Sequence, residues 1–338
     1  MSNQSIVQAE TPEDFTDLSV SKPAEKAAGL KSAYLTTKNA ISKMGLAKAR
    51  KGLSKINQFD GFDCQSCAWA DDTETRKLAE FCENGAKALA DEATKKLLTP
   101  DFFAQNSVVE LSKRSDYWLN SQGRITAPMF LDADATHYNS ITWQDAFKVI
   151  AEELNSLDSP DEAIFYTSGR TSNEAAYLYQ LFVRMFGTNN LPDCSNMCHE
   201  SSGAALTETI GVGKGTVTLD DFDECDLILI IGQNPGTNHP RMLVTLEKAK
   251  KRGAKIISVN PLPEAGLLGF VNPNPQDNFL SFPFKILTNQ ATQLSDLHLP
   301  IRINSDMAFL QGVSKLLLED GTAIDRKFID EKTFGFDE

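Results

Sequence analysis

The spacing of apolar residues changes along this chain, and each change marks an element. Residues 1–60 are polar, rich in Lys and Ala, with little period; a short helix around 38–50 sits within an otherwise irregular arm. Residues 61–72, GFDCQSCAWADD, read as a loop. Thr73 then stands as the candidate N-cap of a helix over 73–97, with Leu78, Phe81, Cys82 and Ala86 on one face. After residue 135 the pattern becomes regular. Thr142 opens a helix with Phe147, Ile150, Ala151 and Leu154 at helical spacing, and Ala163-Ile164-Phe165-Tyr166 reads as a short buried strand. Ser172-Asn173-Glu174 begins a helix through Phe186, with Tyr177, Leu181 and Met185 on one face and Gly187 at its C′ position. The run Cys225–Ile231 is continuously apolar, as in a parallel strand covered on both faces. A helix over 240–252 follows, closed by Gly253, and then a strand over Lys255–Val259. Strand, helix and strand in that order make a βαβ unit, whose ligands bind at the carboxyl ends of the strands. Those ends are residues 232–238 and 260–263.

Composition narrows the function classes. A chain of 338 residues has room for about two domains. Its 46 acidic and 33 basic residues give a net charge of −13, which disfavours binding to a nucleic-acid backbone. The longest aliphatic run, Leu227–Ile231, is too short to cross a bilayer, and the N-terminus shows neither an apolar signal core nor twin arginines. The expectation is a cytoplasmic protein without membrane or nucleic-acid partners. Six cysteines are too sparse for a disulfide scaffold and suit metal binding or redox chemistry better.

Three motifs carry candidate chemistry. Cys64-x-x-Cys67 places two thiols in a tight loop, where both can grip one soft metal centre; the same spacing also fits two ordinary loop cysteines. Cys82 lies fifteen residues on and can supply a third ligand, and Asp71 a fourth. Three sulfurs and an oxygen fit an iron–sulfur cluster better than structural zinc. The second motif, Cys194-Ser195-Asn196-Met197-Cys198-His199, precedes a small-residue helix read from Gly203 to Leu206. A thiolate near a helix N-terminus is stabilised by the helix dipole, which suits Cys198 to a nucleophile or a soft-metal ligand. His199 beside it can shuttle protons. The alternative is a buried cysteine beside a capping histidine. Cys194 and Cys225 read as structural, as do His137, His239 and His298. Third, Gly211-Val212-Gly213-Lys214-Gly215-Thr216 lacks the spacing of a phosphate loop and reads as a plain glycine-rich loop. Gly232 to Asn238 lacks GxGxxG but offers amides and backbone N–H groups for a nucleotide.

Taken together, these regions resemble the molybdopterin oxidoreductase superfamily, and formate dehydrogenase alpha subunits of the FdhF/YdeP branch in particular. The matching text is Phe62-Asp63-Cys64-Gln65-Ser66-Cys67-Ala68-Trp69, Phe81-Cys82-Glu83-Asn84-Gly85-Ala86-Lys87, Ser168-Gly169-Arg170-Thr171-Ser172-Asn173-Glu174, Asn196-Met197-Cys198-His199 and Gly232-Gln233-Asn234-Pro235 with Asn238-His239-Pro240. The resemblance implies a bis-molybdopterin guanine dinucleotide with molybdenum or tungsten, and a [4Fe–4S] cluster. It implies Cys198 as metal ligand and His199 as proton acceptor. Cys64, Cys67 and Cys82 take the first, second and fourth cluster positions. Gly232, Asn234, Thr237, Asn238, Asn260 and Asp306 fall where the family holds the dinucleotide, and Arg170 falls within one place of a pterin-contacting arginine.

Three departures stand out. The third cluster cysteine is Asp71 here. The lysine between cluster and pterin is Asn84, with Lys87 one turn further on as a candidate substitute. Family members are also longer, so the sequence reads as the N-terminal part of such a protein. The expected fold is α/β, of the formate dehydrogenase/DMSO reductase kind. It has an arm at 1–60, a cluster domain at 61–109, part of a first α/β domain at 110–190, and an incomplete Rossmann-like dinucleotide domain at 191–338. The implied reaction is two-electron oxidation of a small substrate, formate foremost, with electrons leaving through the cluster to a redox partner. Alternatives are an oxyanion or N-oxide reductase on the same scaffold, and a non-catalytic metal- or nucleotide-binding module.

Overall fold

The computed structural model describes residues 22–66, 69–192, 194–274, 276, 288 and 290–337. The chain divides into two compact units, one containing residues 30–219 and the other 24–29 with 220 onward.

In the first unit, helices Gly29–Met44, Leu46–Leu53 and Glu83–Glu92 bury Ala40, Met44, Ala49, Leu89 and Ala90 in one cluster. Two helices thus replace the single short one read at 38–50. Gly45, at φ 77°, makes the turn between them, a conformation costly for any residue with a Cβ. The helix read over 73–97 does not begin until Glu83. Asp72 explains part of the difference: its Oδ1 accepts the backbone N–H groups of Glu74 and Thr75 at 2.9 and 2.8 Å, and Glu80 Oε1 accepts that of Lys77 at 2.7 Å. Such local side-chain bonds compete with a helical ladder. Leu78, read as a buried face, is 83% exposed.

Further along, Ser172 caps the helix Asn173–Phe186 through the N–H of Ala175, and Gly187 ends it at φ 115°, both as the sequence suggests. Thr142 likewise caps Trp143–Asn155. The segment 163–166 forms no strand. It is extended and held by single bonds, Phe165 N–H to Asn190 O at 2.9 Å among them, while Phe165 packs edge-on against Tyr179, Phe182 and Phe186. Helix Cys194–Ile210 is continuous and absorbs the shorter Gly203–Leu206 helix of the sequence reading.

The second unit is built on three parallel strands in the order Leu227–Ile231, Lys255–Val259, Leu297–Leu299. Helix Met242–Arg252 connects the first two, and Gly253 takes the left-handed cap at φ 114°. Its core is aliphatic: Ile228, Ile230, Leu243, Leu246, Ile256, Val259 and Leu267 are buried. The first strand, read as covered on both faces, alternates instead. Leu227 and Leu229 are exposed, so one face is covered among the described residues. Inside this core sits a carboxylate, Glu247, 2% exposed. Asn272 Nδ2, Thr292 Oγ1 and Lys251 Nζ reach it at 3.1, 2.8 and 3.1 Å. Burial works to raise its pKa, but the Asn272 and Thr292 hydrogen bonds and the Lys251 charge outweigh it and hold the group below the ordinary glutamate value.

Candidate functional site

The cysteine region starts from Asn57. It is 4% exposed and left-handed at φ 55°, a conformation that asparagine tolerates better than most residues. Its N–H donates to Phe62 O at 2.7 Å, its Oδ1 accepts the N–H of Cys64 at 2.8 Å, and its Nδ2 donates to Glu80 O at 2.6 Å. One side chain thereby ties the loop carrying Cys64 to the segment leading into Cys82. Cys82 is the N-cap of helix Glu83–Glu92, and its Sγ accepts the N–H of Gly85 at 3.4 Å. The N–H of Ser66 donates to Cys64 Sγ, also at 3.4 Å.

Both sulfurs converge on Gly85. A Cβ there would lie 2.8 Å from Cys64 Sγ and 4.0 Å from Cys82 Sγ, so a side chain at this position would fill the space between the thiols. A glycine cradle with two amide N–H groups aimed at two sulfurs fits thiolate ligands of a cluster. The buried Gln65 Oε1, which has no hydrogen-bond partner, lies in the same loop. Cys67 lies outside the described residues. Asp71 Oδ2 lies 3.9 Å from Arg76 Nη2. Among the described residues no three His, Cys, Asp or Glu side chains group to hold a metal ion. Lys87 is exposed on the helix that Cys82 caps.

Beyond that helix, a cleft of about 290 Å³ is lined by Lys43, Asp91, Glu92, Asn120, Arg124 and Arg170, among others. Lys43 pairs with Asp91, and Arg124 Nη1 donates to Glu92 O at 2.6 Å. The structure thus sets Arg170 in a polar cleft against the C-terminal turn of the helix that begins at Cys82.

Cys198 and His199 are exposed on helix Cys194–Ile210. This corrects one premise of the sequence reading. Cys198 is the fifth residue of its helix, beyond the first turn, where the dipole effect has fallen off. Cys225, read as structural, is half-buried: its Sγ reaches Phe222 O at 3.5 Å, and Arg252 Nη2 donates to Cys225 O at 2.8 Å.

In the second unit, Gly232, Asn234, Thr237, Asn238 and Asn260 lie at the carboxyl ends of adjacent parallel strands. Gly232 N–H bonds Val259 O at 2.9 Å and turns at φ 65°. Asn234 caps the turn Pro235–Asn238 by accepting the N–H of Thr237 at 3.1 Å, while its Nδ2 donates to Glu264 Oε2 at 2.7 Å. Gly236 and Gly266 meet back to back: a Cβ on Gly266 would lie 2.7 Å from Gly236 Cα. Only paired glycines allow that approach. Asp306 opens the helix Asp306–Asp320 that follows the third strand. Sequence reasoning missed Asn57, Gly85, Glu264 and Gly266. The signal available for Gly85 was its place three residues after Cys82, the residue whose N–H an N-cap accepts.

None of the helices among the described residues is long and apolar enough to cross a membrane. A molybdopterin oxidoreductase family model matches residues 124–319. The chain is 52% identical over 329 residues to an uncharacterized oxidoreductase of Mycobacterium tuberculosis, covering 96% of this chain and 41% of that protein. It is 47% identical over 322 residues to the protein YdeP of Escherichia coli, covering 92% and 41%. Similarity to the alpha subunit of F420-dependent formate dehydrogenase 2 of Methanococcus maripaludis is 28% over 222 residues, covering 65% and 29%. The chain therefore spans about two fifths of the length of the first two relatives. With more than half of its residues matched by the family model, it belongs to the molybdopterin oxidoreductase family.

Proposed function

We propose that this chain carries the iron–sulfur site and part of the pterin-dinucleotide site of an oxidoreductase that removes two electrons and a proton from a small substrate, with formate the first candidate. The observation that carries this reading is the pair of thiols, Cys64 and Cys82, turned onto Gly85 with backbone N–H groups on both sulfurs. Family membership implies a molybdopterin, and when bound its metal supplies the two-electron chemistry. The proposed ligands of the [4Fe–4S] cluster are Cys64, Cys67 and Cys82. Arg170 offers an uncommitted guanidinium to an anionic or pterin edge from within its polar cleft. Asn234, held by Glu264, and Asn260 present amides beside Gly232 where a guanine dinucleotide would lie across the strand ends.

Cys198 would hold the active metal through its sulfur, and the imidazole of His199, next in sequence, would take the substrate proton. The name of the methanococcal relative supports formate; the closer relatives' names say no more than oxidoreductase. An oxyanion or N-oxide reductase would use the same residues with electrons running the other way, inward from a redox partner.

Metal and pterin analysis of the anaerobically purified full-length protein tests the reading, followed by formate-dependent dye reduction, since residues 1–338 by themselves are expected to be inactive and to hold pterin poorly. Iron, sulfide and molybdenum or tungsten together with pterin are expected. Zinc alone, or no metal, would replace this reading with that of a non-catalytic module. Cys198→Ser is expected to abolish turnover with iron content unchanged, because a hard oxygen donor suits a soft thiolate site poorly. His199→Gln is expected to keep the metals and slow proton transfer by ~10²-fold.

A further inference from the structure

Helices Gly29–Met44 and Leu46–Leu53 carry a charge opposite to that of the chain as a whole. Residues 30–55 hold seven Lys and Arg and no Asp or Glu, in a chain with a net charge of −13. Lys43 pairs with Asp91 and Lys55 with Asp60. Lys31, Lys38, Lys48, Arg50 and Lys51 are exposed and make no ion pair among the described residues. Helix electrostatics account for only two of these five. Arg50 and Lys51 lie in the last turn of their helix, where a cation suits the dipole. Lys31 and Lys48 are each third in their helices, where a cation opposes it, and neither first turn holds an acidic residue. Local stability therefore does not select them.

The same surface is apolar. Helix Gly29–Met44 turns Thr36, Ala40 and Met44 inward, while Leu30, Tyr34 and Ile41, at helical spacing on the opposite side, are 55, 63 and 41% exposed. Lys38 Nζ lies 6.0 Å from the centroid of the Tyr34 ring. An aromatic and aliphatic stripe bordered by unpaired cations has the make-up of a protein-binding patch. This patch adjoins the thiols. Ser32 Oγ donates to Glu83, the residue after Cys82. Gly52 lets the second helix close on Leu89, whose Cδ2 would stand 2.9 Å from a Cβ there. Ile56, next after Lys55, is fully buried, with its Cδ1 3.7 Å from where a Cβ on Gly85 would lie.

We propose that the exposed face of these two helices, anchored by Tyr34 and charged by Lys31, Lys38 and Lys48, docks a small acidic electron-carrier protein. This rests on the redox reading above, which needs a partner to exchange electrons. Charge complementarity selects the partner. The chain's net charge repels an acidic protein, so its approach is steered to the basic face, and the steering fades with salt. Tyr34 supplies the rigid apolar contact that slows release. An anionic bilayer fits less well: the inner face of the first helix is committed to the core, and only a narrow stripe is left to enter lipid.

The test uses the full-length protein, with an acidic [2Fe–2S] ferredoxin as the probe. Calorimetry should show binding at about 0.01 M salt that weakens at least about tenfold by about 0.15 M. The triple variant Lys31→Glu, Lys38→Glu, Lys48→Glu should lose about tenfold or more at low salt, and Tyr34→Ala about tenfold. Glutamate suits the first helical turn at 31 and 48, so the helices keep their stability. A matched triple at exposed sites elsewhere, Lys214→Glu, Lys327→Glu, Lys332→Glu, should stay within about twofold of wild type. Acetylation with acetic anhydride needs no variant. Lys31, Lys38 and Lys48 should react as fast as Lys327 in the protein alone, and ferredoxin should protect the three and not Lys327. Equal losses in the two triple variants, binding indifferent to salt, or no binding overturns the inference. So does protection of the three lysines without ferredoxin, which means that the rest of the longer polypeptide covers the face. Phosphatidylglycerol vesicles that bind wild type and not the first triple variant overturn it in favour of a membrane surface. Iron-free protein that binds ferredoxin through this face sinks the cluster reading and leaves the docking surface standing; iron-loaded protein that does not bind sinks the docking surface alone.

Discussion

The parallel-sheet unit and the cysteine region are stabilised by different physics. In the sheet unit aliphatic side chains from strands and helices, Ile228, Leu243, Leu246 and Ile256 among them, are buried together with one satisfied carboxylate, Glu247. Each such aliphatic contributes roughly 1.5–3 kcal/mol by leaving water. Among the described residues between Asn57 and Gly85 no large apolar side chain is buried; the path is fixed by side-chain bonds to backbone, from Asn57, Gln58, Asp72 and Glu80. Those are worth about 1 kcal/mol each. The first region is a scaffold that stands without a ligand. On the cluster reading proposed above, the second would gain further stability from the iron its sulfurs hold.

The sharpest way to break the comparison is a core truncation. Leu246→Ala, at a fully buried site, is expected to cost about 2–5 kcal/mol in urea unfolding, without changing the iron bound per folded chain. If iron falls in proportion to stability, the two regions are not separable. Asn57→Ala should do the reverse. It removes the amide that joins the two cysteine segments and strains a left-handed backbone, at ~2–3 kcal/mol, and iron binding should weaken by about 10–100-fold. Asn57→Gly keeps the backbone conformation without the amide; it is expected to recover part of the stability and little of the iron.

Sequence pattern served the sheet unit well. The run Leu227–Ile231, the helix closed by Gly253 and the strand Lys255–Val259 sit where spacing put them, because burial and left-handed caps leave direct traces in residue type. It served the cysteine region poorly. Leu78 and Phe81 stand at helical spacing, yet Asp72 takes the N–H groups that a helix would need there, and periodicity carries no information about such bonds. Cys82 therefore moved from the middle of an expected helix to its cap, where its sulfur accepts the N–H of Gly85. Cys198 moved the opposite way, into the body of a helix, since Gly203 does not start a new one. Asn57 gave no signal, because its role depends on Cys64 and Glu80, seven and 23 residues away.

Smaller effects sharpen the contrast. Glu247→Gln should cost about 1–3 kcal/mol, since an amide cannot accept from Asn272, Thr292 and Lys251 at once. The Glu247 pKa is depressed in the fold, so its contribution is complete above the unfolded value, near 4.3, and is lost as pH falls through the lower folded value. Urea midpoints from pH 6 down should fall less steeply in Glu247→Gln than in wild type; parallel curves would remove Glu247 from the account. Gly85→Ala should change stability least, at ~1 kcal/mol, while crowding Cys64 Sγ and lowering iron content.

The central claim is that Cys64 and Cys82 face a shared cluster across Gly85. Iron and acid-labile sulfide measured together with the reduced EPR spectrum, on anaerobic wild-type protein and on Cys82→Ser, test it most directly. Wild type should carry iron and sulfide in near-equal amounts with a cluster signal, and Cys82→Ser should lose most of both while the sheet unit keeps its melting transition. Iron-free wild type, or a Cys82→Ser protein with undiminished iron and an unchanged spectrum, would contradict it.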